Sequence, residues 1–360
     1  MSGVGYEHRD GGVLSPCCAG RWGPPSFSSM GDRWRLGLVE RSVLEAMDEF
    51  GARGPDRPHM KCSRFVQFLA HERGITRRYS YDALCTLSQP WLLHIPLVDF
   101  HGNYGGPDDS PAPAQMTEAR VSAAGRMALA AERGTGPLVP LAFINGDLHA
   151  DGDAPPFSPN RVLDALFGLL DGRELSDDEI IERVGSPASP TGCGVACDPV
   201  ALAAGERTTL VWTAHLSQEV VDRRSVLVLS HLPLGIGPDT VIATIAACVQ
   251  AMNSNDPEWF PAHVGDWQLL RPPSREATAI PLAGIRDGSF GWVGDTNTTR
   301  VVCEPLADAD LAVCEQQIAA SWGVRTEREV QLAAPLPELM RELVDADSPA
   351  QRSALAQLAE

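Results

Sequence analysis

The stretch Tyr81–Gly106, YDALCTLSQPWLLHIPLVDFHGNYGG, changes its pattern part-way along. Ser80 to Leu87 reads as a helix that runs into Gln89-Pro90, where proline disfavours helical backbone in the residue before it. The short apolar pair Leu97-Val98 follows, then a Gly-rich turn from His101 to Gly106 and an acidic loop ending at Ser110. Two more helices precede this stretch. Val39, Val43, Leu44, Met47 and Phe50 fall at helical spacing, and Gly51 ends that helix. Cys62 to His71 carries Phe65, Val66, Phe68 and Leu69 and stops before Gly74. Three short helices followed by a strand and a loop predict a winged-helix module, a small helical core with a β-wing. The Ala-rich run from Thr117 to Arg133 predicts a further helix.

The chain beyond reads as α/β. Val139–Ile144 is expected to be a strand, followed by an Asp/Gly/Pro-rich loop to Asn160. Ser158-Pro159-Asn160 opens a helix through Leu170, with proline favoured in its first turn. Ser176-Asp177-Asp178-Glu179 places acids where they complement a helix dipole. Thr208 to Ala214 and Ser225 to Ser230 read as strands. Pro238-Asp239 opens a helix to about Met252, Val301-Val302-Cys303 is strand-like, and Asp308 to Ser321 is helical. A last helix near Pro337 to Val344 leaves a mixed tail.

Composition bounds the function. Of 360 residues, 44% are apolar and 21% charged, enough for real cores. Acidic residues outnumber basic ones 47 to 29, a formal charge of −18. That argues against a large nonspecific nucleic-acid surface, which is built from Lys and Arg displacing counterions. Lys61 is the single lysine. No apolar run reaches the length of a membrane span. The first thirty residues lack an apolar signal region and read as a floppy tail, in which Cys17-Cys18 is incidental. Nine cysteines without an export signal point to reduced thiols and a cytoplasmic protein.

Several segments, in order, resemble the A subunit of bacterial DNA gyrase and topoisomerase IV, the type IIA topoisomerases. VERSVLEAMDEFG (39–51) is similar to that family's first winged-helix segment, and YDALCTLSQPW (81–91) to its helix ending in an Ala-Gln-Pro turn. LVDFHGNYGG (97–106) resembles its Leu-Val-Asp-Gly-x-Gly-Asn-Phe-Gly stretch, and Thr117-Glu118-x-Arg120 its Thr-Glu-x-Arg. INGDLHADGDAPPFSPNRVLDAL, SPTGCGVA and HLPLGIGPDTVI follow the order of its tower segments. The resemblance covers roughly residues 33 to 330. It implies an α+β chain: a disordered tail over 1–31, a winged-helix domain over 32–135, a reduced tower-like α/β domain over 136–335 and a helical tail over 336–360.

In that family a tyrosine phenolate attacks the DNA phosphodiester and keeps the broken end as an ester, supported by a neighbouring arginine and a histidine pair. The family's Arg-Tyr precedes Thr-Glu-x-Arg directly; Gln115 and Met116 stand there in this chain. A thioether has no ionisable proton, and an amide does not neutralise a phosphate. The family's His-Pro-His-Gly is reduced to His71-Glu72-Arg73-Gly74, leaving His71 and Arg73 as remnants. Gly37, Glu40 and Pro238 occupy positions of family basic or histidine residues. The loop that carries the family's DNA-bending wedge is shortened and acidic here, with Asp147, Asp151 and Asp153, and an acid beside phosphate repels it. Arg41, Lys61 and Arg64 are the surviving candidates for DNA contact, set against a reading as ordinary surface charge.

The resemblance therefore implies a truncated, degenerate paralogue without an intact catalytic set, more a pseudoenzyme than a topoisomerase. The ATPase-contacting arm, coiled-coil exit gate and wrapping propeller have no counterpart in this stretch. The expected partners are a second copy or a topoisomerase subunit in a dimer, with an ATPase-subunit (B-subunit-like) relative as a further partner and DNA bound weakly. Alternatives are a DNA-binding scaffold, or an ATP-dependent topoisomerase subunit completed by partner chains. No cofactor and no metal are expected. Cys193 and Cys197 lack a second tight ligand pair for zinc, and Gly192-Cys193-Gly194 lacks the Lys and Ser/Thr of a phosphate loop. Of four tyrosines (Tyr6, Tyr79, Tyr81 and Tyr104), none is expected to replace the missing nucleophile.

Overall fold

A computed structural model describes residues 36–146, 154–221, 223–242, 244–245, 285–292, 299–305, 310–319, 324–344 and 349–359. The tail, Tyr6, Cys17, Cys18, Asp147, Asp151 and Asp153 lie outside these residues. The described chain mixes helices and antiparallel sheets, as the α+β expectation has it.

The first core is built by α1 (Leu38–Glu49), α2 (Cys62–Glu72), α3 (Arg77–Thr86) and α4 (Ala123–Glu132) around a small sheet. That sheet has β1 (Met60–Lys61), β2 (Val98–His101) and β3 (Glu118–Val121) in the order β1-β3-β2. Val39, Val43, Leu44 and Met47 form the buried stripe of α1 at the spacing that aligns one helix face. Phe50 packs edge-on against Phe65 and Phe68, with centroids 5.9 and 5.3 Å apart. Each fully buried side chain of this kind contributes about 1.5–3 kcal/mol.

Two expectations fail here. Thr117–Val121 is not the start of a helix: Thr117, Ala119 and Val121 are buried alternately, and Glu118–Val121 forms the central strand. The helix begins only at α4, whose N-cap Ser122 accepts from the Gly125 amide. Val139–Ile144 is not a strand either. The carbonyl of Pro140 accepts from the Phe143 and Ile144 amides, and the segment closes as α5 (Leu141–Asn145). A short buried apolar run has no periodicity that separates the two outcomes.

The second core joins α6 (Pro159–Leu170), α7 (Asp177–Val184), β4 (Gly194–Ala196), α8 (Pro199–Ala203) and β5 (Thr208–Thr213). Ser158-Pro159 and the Ser176–Glu179 capping box start their helices as expected. β5 lies between β4 and β10 (Arg325–Val330), which returns from far along the chain. The third core carries the sheet β6-β7-β9-β8, made of β6 (His215–Val221), β7 (Arg224–Ser230), β8 (Ile285–Trp292) and β9 (Thr299–Pro305). Against it pack α9 (Leu311–Ala319) and Val241 and Ile245 of a helix described over 238–242 and 244–245. The expected continuation of that helix to Met252 lies outside the described residues.

α10 (Leu336–Glu342) is followed not by a mixed tail but by another helix, α11 (Pro349–Ala359). Arg352 donates to Asp171 Oδ1 and to the Leu170 carbonyl, 2.7 and 2.9 Å away, closing the C-terminal end of α6. Leu355 sits in the second core and Ala354 in the first, and Leu358 packs against both.

Candidate functional site

The site grows from the N-terminal end of α2. The first amides of a helix have no partner within it. Here Cys62 N–H donates to the Thr117 carbonyl and Ser63 N–H to the Ala114 carbonyl, each at 3.0 Å. The segment between those two acceptors is a turn in which Met116 N–H donates to Pro113 O at 2.8 Å. Gln115 and Met116 are its exposed tip, and Met116 keeps 71% of its surface in solvent.

Tyr81, on α3, lies beneath this turn. Its hydroxyl donates to the Ala112 carbonyl and shares a 2.9 Å hydrogen bond with Thr117 Oγ1. Burial pushes the phenol well above its ordinary range, against the pull of Thr117. Burial likewise pushes the Cys62 thiol up to about 11, so it carries no thiolate near neutral pH. Tyr104 is stacked on Trp91 at 5.7 Å and meets Phe100 at 5.1 Å. Tyr79 lies partly exposed on α3.

Register then arranges the solvent face of the first core's sheet. Glu118 of β3 faces Lys61 on one side and His101 on the other, and Arg120 faces Asp99. Lys61 Nζ pairs with Glu118 at 3.0 Å, and the lysine holds the exposed carboxyl below the usual glutamate range. Arg120 reaches Asp99 Oδ2 at 3.0 Å and donates to the carbonyls of Pro55 and Arg57, so it ties the loop before β1 to the sheet. His59, from that loop, stacks on His101 with centroids 4.7 Å apart. Partial burial, and then the charges of Arg120 and His101, lower the His59 pKa, partly opposed by Asp99 and Glu118.

The predicted site residues do not all converge. Lys61 immediately precedes α2 and Arg64 is in its first turn, beside the Gln115–Met116 turn; Arg64 also lies over the Phe50 ring at 5.4 Å. Arg41 is turned to Glu45 and Glu132, 4.0 and 3.6 Å away. His71 and Arg73 are at the other end of α2, about 14 Å away along the helix axis by the rise per residue. There His71 contacts Glu72 at 2.7 Å, and Arg73 bridges to Glu45 and Glu49 of α1. Among the described residues, no three His, Cys, Asp or Glu side chains form a group that could hold a metal. Cys193 is buried and its thiol pushed up by that burial. The sequence reading missed the His59–His101 stack, which joins a loop residue to a strand residue 42 positions later.

No family model matches the chain. It is 30% identical over 245 residues to the DNA gyrase A subunit of Granulibacter bethesdensis, covering 59% of this chain and 25% of that protein. It is 31% identical over 246 residues to the DNA gyrase A subunit of Streptomyces coelicolor, covering 59% and 28%. Over this stretch the chain is similar to DNA gyrase A subunits. Topoisomerase IV is on the same side: the DNA topoisomerase 4 A subunit of a Synechocystis strain is 29% identical over 248 residues, 59% of this chain and 26% of that protein. The gyrase A-like chain thus spans about a quarter of the length of these curated relatives. No helix among its described residues is long and apolar enough to cross a membrane.

Proposed function

We propose that the chain is a module like the A subunits of DNA gyrase and topoisomerase IV, one that engages a partner chain without cleaving DNA. One observation carries the reading: the residue before Thr117-Glu118-x-Arg120 is an exposed methionine, and the adjacent phenol, Tyr81, is committed to Ala112 and Thr117. Attack on a phosphodiester needs an oxygen nucleophile and cationic support for the charge that develops. Met116 offers no ionisable proton and Gln115 no charge. The histidine and arginine remnants lie at the far end of α2.

The helices α1–α3 and the three-stranded antiparallel sheet of the first core support a winged-helix reading, and the units beyond it a tower-like one. A paralogue of a dimeric gate protein would retain a surface for a second copy or for a true gyrase A chain, with an ATPase-subunit relative as the further partner. The test incubates the chain with supercoiled plasmid, magnesium and a cleavage-trapping agent, alone and with the gyrase A and B chains. No protein-linked breaks are expected on this chain; breaks linked to it overturn the reading.

A second reading, a DNA-binding scaffold, draws on Lys61 and Arg64 beside the turn. Salt titration of binding to a short duplex separates the two. Phosphate contact gives an affinity that falls steeply with salt. Undetectable binding at low salt removes the scaffold.

A further inference from the structure

The acidic loop after the Gly-rich turn plays no part in the chemistry above, yet it makes a long-range contact. Asp108 Oδ2 accepts from the Asp239 amide at 2.7 Å, and Asp108 Oδ1 accepts from the Thr240 hydroxyl at 3.0 Å, across 131 and 132 residues of chain. Gly237 is the residue at which that helix starts, since its carbonyl accepts from Val241 N–H. The start of a helix favours Ser, Thr, Asp or Asn, whose side chain accepts from the second or third amide. Gly237 has no side chain, and Asp108 supplies the missing acceptor from the other end of the fold.

The bare Cα is itself required. A Cβ on Gly237 would overlap the Asp108 carboxylate, and the three nearest atoms it would meet all belong to Asp108. The loop that holds Asp108 is stitched to itself. Asn103 Oδ1 accepts from Gly105 N–H, the Asn103 carbonyl from Ala112 N–H, and the Asp109 carbonyl from Gly106 N–H. Ala112 in turn accepts from Tyr81, so the loop and the Gln115–Met116 turn are continuous parts of one braced segment.

We propose that Asp108 is a latch that caps the helix beginning at Pro238 and thereby ties its own loop, continuous with the segment carrying Gln115 and Met116, to the third core. The latch stands whether or not the chain cleaves DNA. Burial of Asp108 raises its carboxyl above the ordinary range, opposed by the Asp239 amide and the Thr240 hydroxyl. The protein thus accepts a cost for placing a carboxylate there.

Hydrogen exchange on the full chain tests this in Asp108→Ala, Gly237→Ala, the double variant and the control Asp109→Ala. Loss of a hydrogen bond to a charged acceptor corresponds to about tenfold or more in local opening. Asp108→Ala and Gly237→Ala should each speed exchange in the peptide covering 238–242 by about that factor. The double variant should exchange no faster than Asp108→Ala, because the three atoms nearest to a Cβ at 237 are all lost with the carboxylate. Asp108→Asn, which keeps shape and one acceptor oxygen, should fall between wild type and Asp108→Ala and serves if the alanine variant does not fold. Additive effects of the two substitutions, or exchange unchanged in Asp108→Ala or Asp108→Asn, overturn the proposal.

Discussion

At the scale of single residues, the solvent face of the β1-β3-β2 sheet sets charge against charge. His59 meets Arg120 and His101, with Asp99 and Glu118 as partial compensation. Because its pKa is lowered from 6.5 in the folded chain, the unfolded chain binds more protons between that lowered value and 6.5. Stability contributed by neutral His59 is therefore complete above about pH 6.5 and is lost as pH falls through that window. His59→Gln should flatten this part of the pH dependence. Thermal melting from pH 7.5 to 5 checks it, with the variant losing less stability than wild type. Equal slopes would mean that the stack leaves His59 titrating as it does in the unfolded chain.

Elements show where local chemistry decides structure and where distance does. Gly125, in the first turn of α4, lies so close to the start of β2 that a Cβ there would overlap the Leu97 carbonyl. Backbone does not yield as a side-chain tip does, so Gly125→Ala should cost about 3 kcal/mol, read as a lowered urea midpoint with an unchanged slope. The helices with strong local signals were legible in sequence: the α1 stripe, Ser158-Pro159 and the Ser176–Glu179 box all act within a few residues. β10 was not. Its residues Arg325–Val330 are mostly polar, and their partner is β5, over a hundred residues earlier. β4, β6 and β8 escaped for the same reason, since an edge strand is specified by its neighbour more than by itself. The Gln115–Met116 position was legible from the motif that follows it. Its seat on the α2 amides, the His59–His101 stack and the Asp108 contact were not, because each joins residues that no local pattern relates.

For the molecule as a whole, the three cores are not separable beads. The Asn145 side chain exchanges two hydrogen bonds of 2.9 Å with the Ile95 backbone, and Ile95 packs against both the first and second cores. His94 meets the Ala188 carbonyl at 3.1 Å. Leu355→Ala should therefore lower stability by about 2–4 kcal/mol. It should also reduce amide protection in α1 and α6 together, measured by hydrogen exchange in mild denaturant. Protection lost in α6 alone would mean that the cores unfold independently.

The position of α11 carries a consequence for how this protein is made. A ribosome delivers the chain from its amino end, so the grooves that Ala354, Leu355 and Leu358 fill stay greasy and open until that helix has emerged from the exit tunnel. Nascent chains stalled just short of it should be the ones that chaperones grip hardest.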